Sequence, residues 1–110
     1  MIDVKEYKAI IAERKRIAVE TDDNWDYGIE MCWNKLIDML TKDINETIDF
    51  LENVCSPDEI NWTSEIFEDI VQKTNSKEFV AALHRIYEKM PEDVKQSIAV
   101  DIKYADLSLD

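Results

Sequence analysis

A chain of 110 residues with 45% apolar content can build one core, and its single Gly and two Pro exclude hairpins, glycine-rich phosphate loops and flexible linkers. Its formal charge of −12 disfavours nucleic acid and anionic membrane as partners and favours a basic protein surface. Helix formers with few breakers predict an all-α, single-domain fold over residues 1–110, an antiparallel bundle or short stack of about six helices.

Tyr7, Ile10, Ile11, Ile17 and Ala18 recur at helical spacing, which predicts a first helix from residue 3 to about 20. "TDDNWDYG" interrupts it. Asp22-x-Asn24-x-Asp26 has the alternating oxygens of a calcium loop, but Gly28 comes one position late and Trp33 stands where a bidentate Glu is needed, so a turn with Asp and Asn caps is expected. Ile29, Cys32, Trp33, Leu36, Ile37 and Leu40 predict a strongly buried second helix, with Asp26, Glu30, Asn34 and Asp38 along a polar stripe. Thr41 is the expected cap of a third helix whose inward residues are Ile44, Ile48, Leu51 and Cys55.

Ser56-Pro57-Asp58-Glu59 is the clearest local signal: a capping box with Pro at the first helical position starts the fourth helix. Asn75 with Glu78 suggests another box, ahead of a helix on Phe79, Val80, Leu83, Ile86, Tyr87 and Met90. Pro91 opens the sixth helix, with Val94, Ile98, Ile102 and Ala105 on one face, and the final "LSLD" is expected to fray.

Catalytic machinery is not legible. His84 is the only histidine and has no companion at metal-ligand spacing; Cys32 and Cys55 lack a C-x-x-C partner and read as free thiols of a reducing compartment. The expectation is therefore no catalytic residue, no metal and no cofactor. The charged N-terminus "MIDVKEYKAI" does not resemble a signal peptide, and no stretch nears the roughly 18 apolar residues of a membrane span, so a cytoplasmic location is expected.

The charge is segregated along the chain. Residues 1–20 hold five bases and four acids (+1), residues 21–72 two bases and fourteen acids (−12), and residues 73–110 six bases and seven acids (−1). In the fourth helix Asp58, Trp62, Glu65 and Asp69 fall at i, i+4, i+7 and i+11, away from Ile60, Thr63, Phe67, Ile70, Val71 and Thr74. Two arrangements fit: Trp62 packs against a neighbouring helix or the first helix, or it is an exposed aromatic anchor ringed by carboxylates. Asp49 and Glu52 of the third helix, with Asp26, Glu30 and Asp38 of the second, extend the acidic field if these helices pack side by side.

The stretch "WTSEIFEDIVQKTNSKEFVAALHRIYEKMP", with Trp62, Ser64, Glu65, Phe67, Ile70, Thr74, Phe79, Leu83 and Pro91, resembles small all-helical immunity proteins of bacterial polymorphic toxin and contact-dependent growth inhibition systems. The resemblance covers roughly residues 24 to 105 and is carried mostly by capping and core positions. It implies a protein that binds one cognate toxin, often an RNase or DNase, one to one, and blocks its active site or substrate surface. The Tyr-Tyr-Pro turn of the DNase-colicin immunity proteins is missing, so their binding residues do not carry over. The candidate partner-binding set is read from helix faces alone: Trp62, Glu65, Asp69, Asp58, Asp49 and Glu52. Two other readings share the acidity, an acidic nucleic-acid mimic and a helical adaptor or regulatory subunit in which acid serves solubility.

Overall fold

The computed structural model describes residues 1–110 and contains helices and no strands. The helices are α1 (Val4–Thr21), α2 (Asp26–Leu40), α3 (Ile44–Asn53), α4 (Pro57–Thr63), α5 (Phe67–Thr74), α6 (Lys77–Lys89) and α7 (Glu92–Leu107). A single 3₁₀ turn, Ser64–Ile66, joins α4 to α5. Counting α4, the turn and α5 as one bent rod gives the six helices the periodicity predicts.

That bent rod is the spine of the fold. Ile60, Ile66, Phe67, Ile70 and Val71 are all fully buried, because the rod has helices on several sides. The α1/α2 hairpin packs against it through α1 on α4 and through α2 on the turn and α5; α7 packs along α4, the turn and α5; α6 pairs with α7, and α3 with α6. Phe67 and Phe79 meet edge to face at 6.2 Å and link the rod to α6. A radius of gyration of 13.2 Å is that of a closed unit, close to the ~13 Å expected of a compact chain this long.

The bend has a local cause. Thr63 Oγ1 donates to the Glu59 carbonyl at 2.8 Å and Ser64 Oγ to the Asn61 carbonyl at 2.6 Å. Consecutive hydroxyls that bond back to the preceding turn compete with the helical ladder and bend it. Apolar spacing continues across the break, so periodicity alone predicts one helix over residues 56–71. Thr63 also meets the hydroxyl of Tyr7 at 2.6 Å, which fixes α1 to the bend.

Other boundaries shift for identifiable reasons. Asp43, not Thr41, caps α3: its carboxylate accepts from Asn45 and Glu46 N–H, while Thr41 Oγ1 bonds back to Ile37 and closes α2. The buried face of α3 is Thr47, Phe50 and Leu51, with Ile44, Ile48 and Cys55 only half-buried. Ser76 caps α6 by accepting from Phe79 N–H, because Asn75 is taken up by the left-handed end of α5 at φ 48°. The tail does not fray: Leu109 packs against the core and the Asp110 N–H donates to Asn75 Oδ1 at 3.0 Å. No helix is long and apolar enough to cross a membrane.

Candidate functional site

Folding returns bases from both ends of the chain to the acidic middle. Of the fourteen acids in residues 21–72, Asp23 and Glu65 pair with Arg14, Asp58 with Lys15, Glu59 with Lys8, Glu46 with the N-terminal ammonium, Glu52 with Arg85 and Asp38 with Lys42. Seven are thus paired and seven are not: Asp22, Asp26, Glu30, Asp43, Asp49, Glu68 and Asp69. Asp43 is a helix cap; the other six make no ion pair.

The site is built on Arg14. It occupies the position between Ile11 and Ile17 in the apolar stripe of α1, so the helix carries it into the interior, where its side chain is only 6% exposed. Its Nε and Nη2 donate to the two oxygens of Glu65 at 2.8 Å each, a bidentate pair, and its Nη1 donates to Asp23 Oδ1 at 2.7 Å. The guanidinium carbon sits 5.3 Å from the centre of the Trp62 ring. Trp33 Nε1 adds a bond to Glu65 Oε1 at 3.2 Å. Burial opposes the charge of Arg14, but the hydrogen bonds it donates to Glu65 and Asp23 outweigh it and hold its pKa above the usual value. One guanidinium therefore ties together α1, the turn after it, Trp33 of α2, Trp62 of α4 and the 3₁₀ turn.

The candidate residues separate accordingly. Trp62 is half-buried, packed against the core and under Arg14 of the first helix. Glu65 faces inward to Arg14, Asp58 pairs with Lys15, and Glu52 pairs with Arg85 of α6. Asp69 is half-buried and unpaired; Asp49 is exposed, accepting from Asn53 at 2.8 Å. Trp62, Glu65 and Asp69 stand on one bent rod, and α2 with Asp26 and Glu30 packs beside it. Asp49 and Glu52 do not join them, because α3 packs chiefly on α6.

Two residues absent from that set complete the face. Asp101 of α7 lies beside the rod; its carboxyl is raised by burial, with Glu65 and Glu68 adding repulsion. Asp69 is likewise raised by burial and then by Glu68. Glu68, Asp69 and Asp101 thus form a run of carboxylates with no ion-pair partner, two of them partly desolvated. Asp101 had no signal in the periodicity of α7 beyond being polar. Arg14 had one: a base at an inward position of an apolar stripe.

Chemistry is sparse elsewhere. Cys32 and Cys55 are free; burial pushes the Cys32 thiol up and the Cys55 thiol up to about 12, so neither is a ready nucleophile. His84 is exposed and meets Asp106 at 2.7 Å. No group of three or more His, Cys, Asp or Glu side chains is placed to hold a metal ion. Asp22, Asn24 and Asp26 form the corner between α1 and α2. The chain matches no protein family, no curated protein and no solved structure.

Proposed function

We propose that this protein is an immunity protein of a bacterial toxin system, a catalytically inert inhibitor that binds one basic cognate toxin, a nuclease, through the carboxylate face formed by α5 and α7. The observation that carries this reading is the run Glu68, Asp69 and Asp101: half-buried carboxylates that repel one another and make no ion pair within the chain. Such a face is electrostatically frustrated in the free protein. A partner's lysines and arginines relieve the repulsion on binding, so complementarity there favours association more than an already neutralised surface does.

The mechanism is steric and electrostatic. A nuclease needs basic side chains to hold substrate phosphates, and carboxylates that pair with those side chains occupy the surface the substrate requires. Trp62 offers apolar area at the edge of the face, and Glu65 serves by holding Trp33 and Arg14 in place rather than by meeting the toxin. The chain supplies no reaction of its own and needs no cofactor. It works in the cytoplasm, where it meets an incoming or newly made toxin.

The test is protection. The chain is co-expressed with the basic protein that co-purifies with it from its native cells, and cell survival is scored. A single stoichiometric partner, toxic alone and tolerated with this chain, is expected. The double reversal Glu68→Lys with Asp69→Lys should abolish protection while leaving helicity intact. Retained protection by that variant moves the site elsewhere, and a set of unrelated DNA-binding proteins displaced by salt points instead to a nucleic-acid mimic.

A further inference from the structure

The first turn of α2 departs from local preference in three ways. A tryptophan occupies the N-cap although Asp22, Asp23 and Asn24 precede it, and no side chain caps the helix, at a cost of about 1 kcal/mol. Asp22 and Asp23 both hold positive φ, 54° and 59°, a conformation that carries a penalty for residues with a Cβ. The chain's one glycine lies inside the helix at position 28, costing about 1 kcal/mol relative to alanine.

Gly28 has a steric reason to be there. A Cβ at that position would lie 2.3 Å from Trp25 Cε3 and 2.6 Å from Cζ3, so the indole rests directly on the helix backbone. The seating does not hide the ring. Trp25 remains 44% exposed, Tyr27 66% and Met31 40%, and the two rings lie 6.3 Å apart at 50°. Tyr27 and Met31 share a face at i and i+4. Three local departures therefore coincide with a pair of aromatic rings held outside the core.

Charge selects the occupant. Residues 17–34 contain five acids and no Lys or Arg, 0 − 5 = −5. Arg16 takes Glu20 and Arg14 takes Asp23, which leaves Asp22, Asp26 and Glu30, each within three residues of one of the two rings in sequence, without an ion pair. We propose that this corner is a docking site for an arginine-bearing segment of a partner protein. The guanidinium stacks on Trp25 or Tyr27, and its N–H groups donate to Asp22, Asp26 or Glu30. Arginine fits better than lysine, because only a planar fork both stacks and donates in its own plane. The corner shares no residue with the α5/α7 face, and the inference holds whether or not the partner is a toxin.

The test is a titration of the isotopically labelled full chain with an octapeptide alternating arginine and glycine, followed by NMR. Saturable shifts should concentrate in the amides of residues 22–31 and the Trp25 indole N–H, and the lysine version of the peptide should bind several-fold more weakly. Gly28→Ala, which displaces the indole, and Tyr27→Ala, which removes an exposed ring without touching the core, should each weaken binding about tenfold. Three results overturn the inference: unchanged affinity in Tyr27→Ala, equal binding of the lysine peptide, or shifts at Glu68, Asp69 and Asp101 with none at residues 22–31. The last leaves the α5/α7 face standing on its own.

Discussion

Glu65 and Asp69 lie four residues apart on one bent rod, and their electrostatic situations are opposite. Glu65 has a bidentate arginine, a second donor from Trp33 and a place in a cluster that joins α1, α2 and α4. Asp69 is half-buried with no base, next to Glu68, and its carboxyl is pushed upward by burial first and by that neighbour second. The same residue class at nearly the same height in the fold is thus a structural tie in one case and an unmet charge in the other. An acidic count does not distinguish them; only the presence of Arg14 on the facing helix does. A face meant for a basic partner is better sought among the unmet charges, because a carboxylate that already has its guanidinium must give it up before binding another.

The comparison breaks most visibly at its paired end. Arg14→Met leaves Glu65 facing the interior without its partner and should lower unfolding free energy by about 3 kcal/mol, at the low end for a broken buried pair because Glu65 keeps some solvent contact. Urea denaturation reads this directly, and a loss under about 1 kcal/mol would mean that the cluster is not the tie described here. Replacing both partners, Arg14→Met with Glu65→Met, should recover more than half of that loss, to a net of about 1 kcal/mol, since an apolar pair carries no desolvation penalty. No recovery in the double variant would assign the damage to Asp23 and Trp62 instead.

The unpaired end should respond with the opposite sign. Asp69→Asn with Asp101→Asn removes two carboxylates whose folded-state pKa values are raised, so the variant should be more stable than the parent at neutral pH. A raised carboxyl binds its proton more tightly in the folded state; its penalty is absent below the ordinary Asp range of about 3.9 and grows as pH rises through the folded value. The gain should therefore vanish on acidification to about pH 3, in denaturation curves taken across that range. Glu52 and Glu59 run the other way. Arg85 lowers the carboxyl of Glu52; the Ser56 N–H and Lys8 lower that of Glu59 despite its burial, so their stabilisation is present above the ordinary Glu range and is lost as pH falls through their folded values. The smallest effect belongs to Asp49→Asn, an exposed carboxylate bonded only to Asn53, which should change stability by less than about 0.3 kcal/mol. A larger shift would show that α3 carries an interaction beyond that bond.

Much of the helical frame was legible because it is local. The Ser56 box is present in full, with Glu59 N–H bonded to Ser56 Oγ at 3.1 Å and Ser56 N–H to Glu59 Oε1 at 2.9 Å. Val94, Ile98, Ile102 and Ala105 are all buried, as their spacing predicts. Local competition, by contrast, was hard to judge: Thr41 against Asp43, or Asn75 against Ser76, are choices between adjacent residues with similar capping ability. The bend at Thr63 and Ser64 was missed because back-bonding hydroxyls leave no trace in apolar periodicity. At the candidate face, the rod carrying Trp62, Glu65 and Asp69 was legible, and which of its carboxylates has an ion-pair partner was not.

The sequence by itself determined that the chain is helical, where most helices lie, and that the net charge belongs to the middle of the chain, since these follow from propensity, spacing and composition. Only the tertiary structure decided which acids are neutralised. Ion pairing acts through space over a few ångströms, and Arg14 reaches Glu65 across fifty-one residues of chain. That crossing turned part of an acidic stripe into a tie between helices and left Glu68, Asp69 and Asp101 as charges without a partner.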